Sequence, residues 1–195
     1  MKTIIVATRN QGKIDEYRAM FAPCGFHVES LLDHPGIPDV AETGATFAEN
    51  ALLKAQAVLT RFHTLAVADD SGLLVDALGG APGVHSQRYS AEGTAAANNE
   101  KLLSALSGVE RRGARFVCTI AVLRPDGSHR FYEGTLAGEI AKAPRGSSGF
   151  GYDPLFFLSA YGRTVAELDM DMKNRISHRG RAFAAMVADR AWWDR

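Results

Sequence analysis

Cysteine is scarce in this chain, neither sign of charge is in excess, and no apolar run is long. Each shortage excludes a class of protein. The only cysteines are Cys24 and Cys118. They lie far apart, with no histidine pattern at ligand spacing, which argues against a disulfide framework and a zinc site and suits a reducing cytoplasm. Twenty-two basic residues balance twenty-two acidic ones, so the net charge is zero and no global basic field draws in duplex nucleic acid. No segment approaches the roughly 18 to 20 apolar residues of a membrane span, and the opening apolar run is too short for a secretory leader. What is present is 46% hydrophobic and 23% charged residues over 195 positions. That suffices for a real core, and the expectation is a single cytosolic, soluble domain over residues 1–195 with no nucleic-acid or membrane partner.

The pattern along the chain predicts an α/β protein. Residues 3–7 are β-branched and strand-like, Thr8-Arg9-Asn10-Gln11-Gly12-Lys13 is a polar loop, and Ile14, Tyr17 and Phe21 then recur at helical spacing before Pro23 and Gly25. Residues 30–44 read as a loop. Thr46 and Glu49 have the spacing of a capping box, opening a helix to about residue 60. Residues 65–68 form a short apolar strand, expected to stop at Asp69-Asp70-Ser71-Gly72. A helix follows over about 94–106. Two strands, 116–123 and 129–136, flank a turn with an Asp-Gly step, so part of the sheet is antiparallel. A short strand at 155–157 and a last helix over about 178–191 complete a mixed, twisted sheet flanked by helices.

Several positions carry chemistry beside a plain structural explanation. Asp69 and Asp70 follow an apolar strand, where open α/β sheets present catalytic groups. They read either as a polar turn or as ligands for a divalent cation. Glu42, just before the capped helix, can reach the same place, and magnesium takes only one or two carboxylates. Lys54 falls inside the apolar stripe of its helix. It either snorkels to water or points an ammonium into a cleft to meet an anion.

The loop 8–13 joins a strand end to a helix start, where free N–H groups favour phosphate, and Lys13 adds a mobile charge. Neither a Walker pattern nor G-x-G-x-x-G is present. Gly146-Ser147-Ser148-Gly149-Phe150-Gly151-Tyr152-Asp153-Pro154 lets backbone approach a planar ligand while Phe150 or Tyr152 offers a stacking face; the alternative is an aromatic loop anchored in a core. Lys173, His178 and Arg179 supply donors for a purine carbonyl and phosphates. Together these parts describe a nucleotide site, and attack by an activated water is the economical reaction.

These segments occur in the order seen in a known group. The chain resembles the inosine triphosphate pyrophosphatase family, also called the Ham1 or RdgB family, through residues 7–13, 42–51 with Lys54-Ala55, 68–73, 79–84, 149–154 and 176–179. The resemblance implies an elongated sheet between two lobes with a central nucleotide cleft. It also implies a magnesium-dependent homodimer that hydrolyses ITP, dITP and XTP to the monophosphate and pyrophosphate. By position it implies phosphate binding by Thr8, Arg9, Asn10, Gln11, Gly12 and Lys13, triphosphate contacts from Lys54 and Ser71, and magnesium held by Glu42 and Asp70. Asp70 is also the implied base for water. Phe150, Gly151, Tyr152, Asp153, Lys173, His178 and Arg179 are the implied base and ribose pocket. Two positions depart from the family pattern: Arg9 stands where many relatives have glycine, and Met172 where the family usually has glutamate. The competing readings are a Maf-like pyrophosphatase for modified or pyrimidine nucleotides and a nucleotide-binding sensor without turnover.

Overall fold

The structure is a computed structural model that describes residues 2–194. Its strands are β1 (Lys2–Val6), β2 (Phe26–Ser30), β3 (Ala66–Val75), β4 (Gly113–Leu123), β5 (His129–Ile140), β6 (Phe156–Leu158) and β7 (Arg163–Thr164). They form one open sheet in the order β2-β1-β3-β4-β5-β6-β7. Strand β1 runs parallel to β2 and β3, whereas β6 is antiparallel to β5 and β7, so the sheet is mixed. Parallel neighbours need long crossovers. Helices α1 (Gln11–Phe21) and α2 (Phe47–Phe62) lie in the connections from β1 to β2 and from β2 to β3. The other helices are α3 (Ala95–Ala105), α4 (Met170–Ile176), α5 (His178–Ala188) and α6 (Arg190–Trp193). Among the described residues, no helix is long and apolar enough to cross a membrane.

The chain divides into two compact units. One comprises the chain up to Asp70, Cys118–Gly134 and the chain from Arg179 onward; the other comprises Ser71–Val117 and Thr135–His178. Strand periodicity gives the first unit two apolar layers. Ile4, Val6, Val67, Cys118 and Ile120 face a cluster with Tyr17 and Phe21 of α1 and Ala182, Phe183 and Met186 of α5. Ile5, Ala7, Ala66, Ala68 and Ala121 face Ala51, Ala55, Val58 and Leu59 of α2. In the second unit Leu73, Phe116, Leu136, Leu155 and Phe156 pack with Leu102 and Leu106 at α3. Full burial of each such side chain contributes roughly 1.5–3 kcal/mol before conformational entropy is set against it.

The main departure from the sequence expectation is at β3. The strand does not stop at residue 68 but continues through Asp69-Asp70-Ser71-Gly72 to Val75. Carboxylates are tolerated within a buried strand because each has cationic or amide partners, described below. The expected loop at 30–44 is preceded by β2, and Lys173 lies in a short helix, α4, that sequence periodicity does not reveal. The capping box at α2 forms in altered shape. Thr46 accepts from the Glu49 N–H, but the Glu49 carboxylate accepts from the Ala45 N–H, one residue earlier than in the usual arrangement.

Candidate active site

Within the first unit, the alternation of β3 sends Asp69 and Asp70 to opposite layers. Asp69 joins the α1 and α5 side. Its Oδ2 accepts from Lys13 Nζ at 2.9 Å and from Arg179 at 3.1 Å, and the Arg179 guanidinium also donates to Glu16 at 2.6 Å. Charges therefore alternate along Glu16, Arg179, Asp69 and Lys13, all of them buried. Burial works to raise the Asp69 carboxyl, but Lys13 and Arg179 outweigh it and hold the group well below the usual carboxylate range. Burial and the neighbouring Asp69 push the Cys118 thiol far up, which makes it an inert core residue.

Asp70 faces α2. Its Oδ2 accepts from Asn50 Nδ2 at 3.1 Å, and its Oδ1 lies 3.3 Å from Lys54 Nζ. Lys54 Nζ also reaches Glu42 Oε1 at 2.8 Å, so two carboxylates converge on one ammonium. Here burial wins: it raises the Asp70 carboxyl above its ordinary value against the pull of Lys54 and Lys13. For Lys54, burial favours the neutral amine, yet Asp70, Asp69 and Glu42 prevail and raise its pKa. The arrangement is a partly buried carboxylate with raised proton affinity beside a firmly charged lysine. Such a pair can take a proton from water while holding an anion.

The 8–13 segment forms the expected strand–loop–helix. Asn10 caps α1, its side chain accepting from the Lys13 N–H at 3.1 Å, while Thr8 Oγ1 accepts from the Asn10 N–H at 3.2 Å. Gln11 reaches Asp15 on the exposed face, and Gly12 lies in the first turn. Arg9 is engaged elsewhere. Its guanidinium donates to Asp39 and to the carbonyls of Leu31 and Ile37, tying down the loop that leads to Glu42. A glycine at this position has no side chain with which to do so.

In the second unit, Asp153 organises the glycine–aromatic loop. Its Oδ2 accepts from Lys173 Nζ at 2.5 Å and from the Phe150 N–H at 2.9 Å. Gly149 has φ +76°, and a Cβ there would lie 2.1 Å from Asp153 Oδ2, so the position demands glycine. Lys173 Nζ sits 4.5 Å from the centre of the Phe150 ring. The carboxylate beside Lys173 is thus supplied by Asp153, while Met172 packs against the apolar cluster. Tyr152 is buried in that cluster and donates its hydroxyl to the Ser86 carbonyl at 2.7 Å; Phe150 is the more exposed ring. The His178 ring stacks on Phe116 at 4.7 Å, and Phe116 on Phe156 at 4.3 Å. Ser71 follows Asp70 directly on β3 and is half-buried.

Sequence reasoning passed over Asn50, Glu16 and Asn99, whose side-chain amide donates to the Gly151 carbonyl at 3.0 Å. Each was detectable as a polar residue on or beside the apolar stripe of a helix. Asn99 is also a poor helix former in a mid-helix position.

An open mixed sheet whose buried strand β3 joins acidic oxygens to ammonium groups defines an α/β protein with a carboxylate–lysine cluster on that strand. The particular family follows from comparison with known proteins. Residues 4–189 match the Ham1 family, and the chain belongs to it. It is 54% identical over 195 residues to the dITP/XTP pyrophosphatase of Geobacillus kaustophilus, covering 98% of this chain and 95% of that one. It is 50% identical over 195 residues to the dITP/XTP pyrophosphatase of Geobacter sulfurreducens, covering 98% of each. Among solved structures, the Ham1 protein of Staphylococcus aureus superposes with a TM-score of 0.83 at 40% identity, covering 99% of this chain and 98% of that one. A HAM1 protein from Coxiella burnetii gives a TM-score of 0.87 at 38% identity, covering 98% of this chain and 100% of that one.

Proposed function

We propose that this protein hydrolyses non-canonical purine nucleoside triphosphates, dITP, ITP and XTP, to the monophosphate and pyrophosphate. The observation that carries the reading is the convergence of Glu42 and Asp70 on Lys54 in a chain of the Ham1 family. Water attacks the α-phosphorus, a new P–O bond forms, and the bridging bond to the β-phosphate breaks, its electrons leaving with pyrophosphate. Asp70 takes the proton from the attacking water, its Oδ1 facing the side where Lys54 and Glu42 meet. Lys13 and Lys54 balance the growing charge on the phosphates, with Ser71 and the N–H groups of residues 8–13 as further donors.

The donor set fits magnesium. Glu42 and Asp70 already share one cation, the Lys54 ammonium, and two hard carboxylates are the number this ion takes beside water and phosphate. When bound, magnesium supplies charge neutralisation at the phosphate oxygens.

Phe150 offers the stacking face for the base, and His178, with Lys173, supplies donors for the 6-keto oxygen of hypoxanthine or xanthine. Adenine has an amino group there and cannot accept. The working form is a cytoplasmic homodimer, testable by sedimentation. A panel of triphosphates assayed with magnesium for pyrophosphate against orthophosphate tests the reaction and the base choice together. Pyrophosphate from dITP and XTP, with ATP much slower, is the expected result. Orthophosphate release, comparable rates on ITP and ATP, or a preference for pyrimidine or methylated nucleotides contradicts the reading.

A further inference from the structure

Asn50 is fully buried on α2, four residues before Lys54 and on the same helix face. Its Oδ1 accepts from the Gly44 N–H at 2.8 Å, and its Nδ2 donates to Asp70 Oδ2 at 3.1 Å. A backbone N–H only donates, so the amide oxygen must face Gly44 and the amino group must face the carboxylate. The loop lies directly on this amide: a Cβ at Gly44 would come within 2.8 Å of Asn50 Oδ1 and 2.6 Å of Glu49 Cβ. Gly44 is two residues beyond Glu42. The contacts close a circuit that runs from Gly44 through Asn50, Asp70 and Lys54 to Glu42, and then back along the chain to Gly44.

From this circuit we infer that Asn50 is a positioning residue for hydrolysis, fixing both the plane of the Asp70 carboxylate and the approach of the Glu42 loop. With Oδ2 engaged by the amide, Asp70 presents Oδ1 to the side where Lys54 and Glu42 meet. The inference rests on the proposed hydrolysis, and it assigns the two oxygens of Asp70 different duties. Oδ2 is the anchored oxygen and Oδ1 the working one.

The test compares wild type with Asn50→Leu, which keeps the branched heavy-atom shape, is bulkier and removes both bonds, and with Asn50→Ala. Three quantities are read: kcat and KM for dITP with saturating magnesium, Mn²⁺ binding without nucleotide by electron paramagnetic resonance, and melting temperature. In folded variants kcat is expected to fall about 100-fold with KM changed by less than about threefold, and Mn²⁺ binding to weaken about tenfold. A variant that melts lower but keeps wild-type kcat and Mn²⁺ affinity overturns the inference, since a purely structural asparagine would behave that way. Should neither variant fold, the side-chain amide of Asn50 in wild type decides by NMR. Slow exchange and a shift on Mg²⁺ titration support the role, and fast exchange with no shift overturns it. If wild type fails to turn over dITP, the proposed activity falls, while the Mn²⁺ and NMR readouts still decide on the positioning.

Discussion

Asp69 and Asp70 are adjacent in sequence yet work in opposite layers of the same strand, Asp69 bound to Lys13 and Arg179 and Asp70 to Asn50 and Lys54. What the sequence presents as a diacid is two separate devices. One anchors a buried ion chain, and the other meets Lys54 and Asn50 in the cluster proposed above to carry the chemistry. The split also separates the lysines, since Lys13 is held by Asp69 and Lys54 by Asp70.

The two acids should therefore fail differently. Asp69→Asn leaves Lys13 and Arg179 without their shared carboxylate in a buried setting, and the expected loss of stability is about 3–5 kcal/mol. Asp70→Asn keeps the fold and abolishes turnover. Urea unfolding beside a pyrophosphate assay separates the two outcomes, and near wild-type rates from folded Asp70→Asn would remove Asp70 from its role.

The pH dependence of stability follows from the same split. Asp69 is held below its unfolded value, so between the two values the unfolded chain binds more protons and stability rises with pH. Its contribution is full above about pH 4 and lost as pH falls toward the folded value. Asp70 is raised, so its sign is opposite: its contribution is present below the unfolded value and lost as pH rises through the folded one. At neutral pH Asp70→Asn should then lose less stability than Asp69→Asn, since it removes the burial penalty of a raised carboxyl together with one of the two carboxylates facing Lys54, while Asp69→Asn should lose most of the acid-side slope. Melting curves from pH 3 to 8 check both.

Lys54→Met removes the ammonium that both carboxylates face. A unit-charge pair at 4 Å and an effective dielectric of 20 is worth about 4 kcal/mol before screening and relaxation. A loss of about 10²-fold in kcat/KM is the expected residue of that interaction. The same change should increase the pull of Glu42 and Asp70 on a divalent ion, lowering the magnesium concentration for half-maximal rate. A higher magnesium requirement would contradict this account.

Phe150 and Tyr152 should also separate. Phe150→Ala removes a half-buried ring over which Lys173 sits and should raise KM for dITP about tenfold, as base stacking is worth roughly 1–3 kcal/mol. Tyr152→Phe removes the bond to the Ser86 carbonyl and should cost about 1 kcal/mol, read as a lower melting temperature.

The fold was legible where periodicity is strong. Helix α2 begins at its predicted cap, and the hairpin of β4 and β5 turns at residues 124–128, where the Arg124 N–H bonds to the Ser128 carbonyl. The sequence also singled out Asp70, Glu42 and Lys54, because a lysine within an apolar stripe and a diacid after an apolar strand are both costly unless partnered. It did not reveal that β3 runs on through the diacid. A strand's period assigns faces only once its extent is known, and buried charges conceal that extent until Lys13, Arg179, Asn50 and Lys54 are placed around it. The duties of Arg9 and Asn50 were hidden for a related reason. Arg9 binds backbone carbonyls before Glu42 and Asn50 a backbone N–H after it, and such partners leave no mark in side-chain pattern.

The central claim is that Asp70 directs water to the α-phosphorus, and hydrolysis of dITP in ¹⁸O-labelled water tests it most directly. Mass spectrometry of the products should find one labelled oxygen in the monophosphate and none in pyrophosphate, with incorporation abolished in Asp70→Asn. Label in pyrophosphate or in orthophosphate, or undiminished incorporation in the folded Asp70→Asn protein, would contradict it.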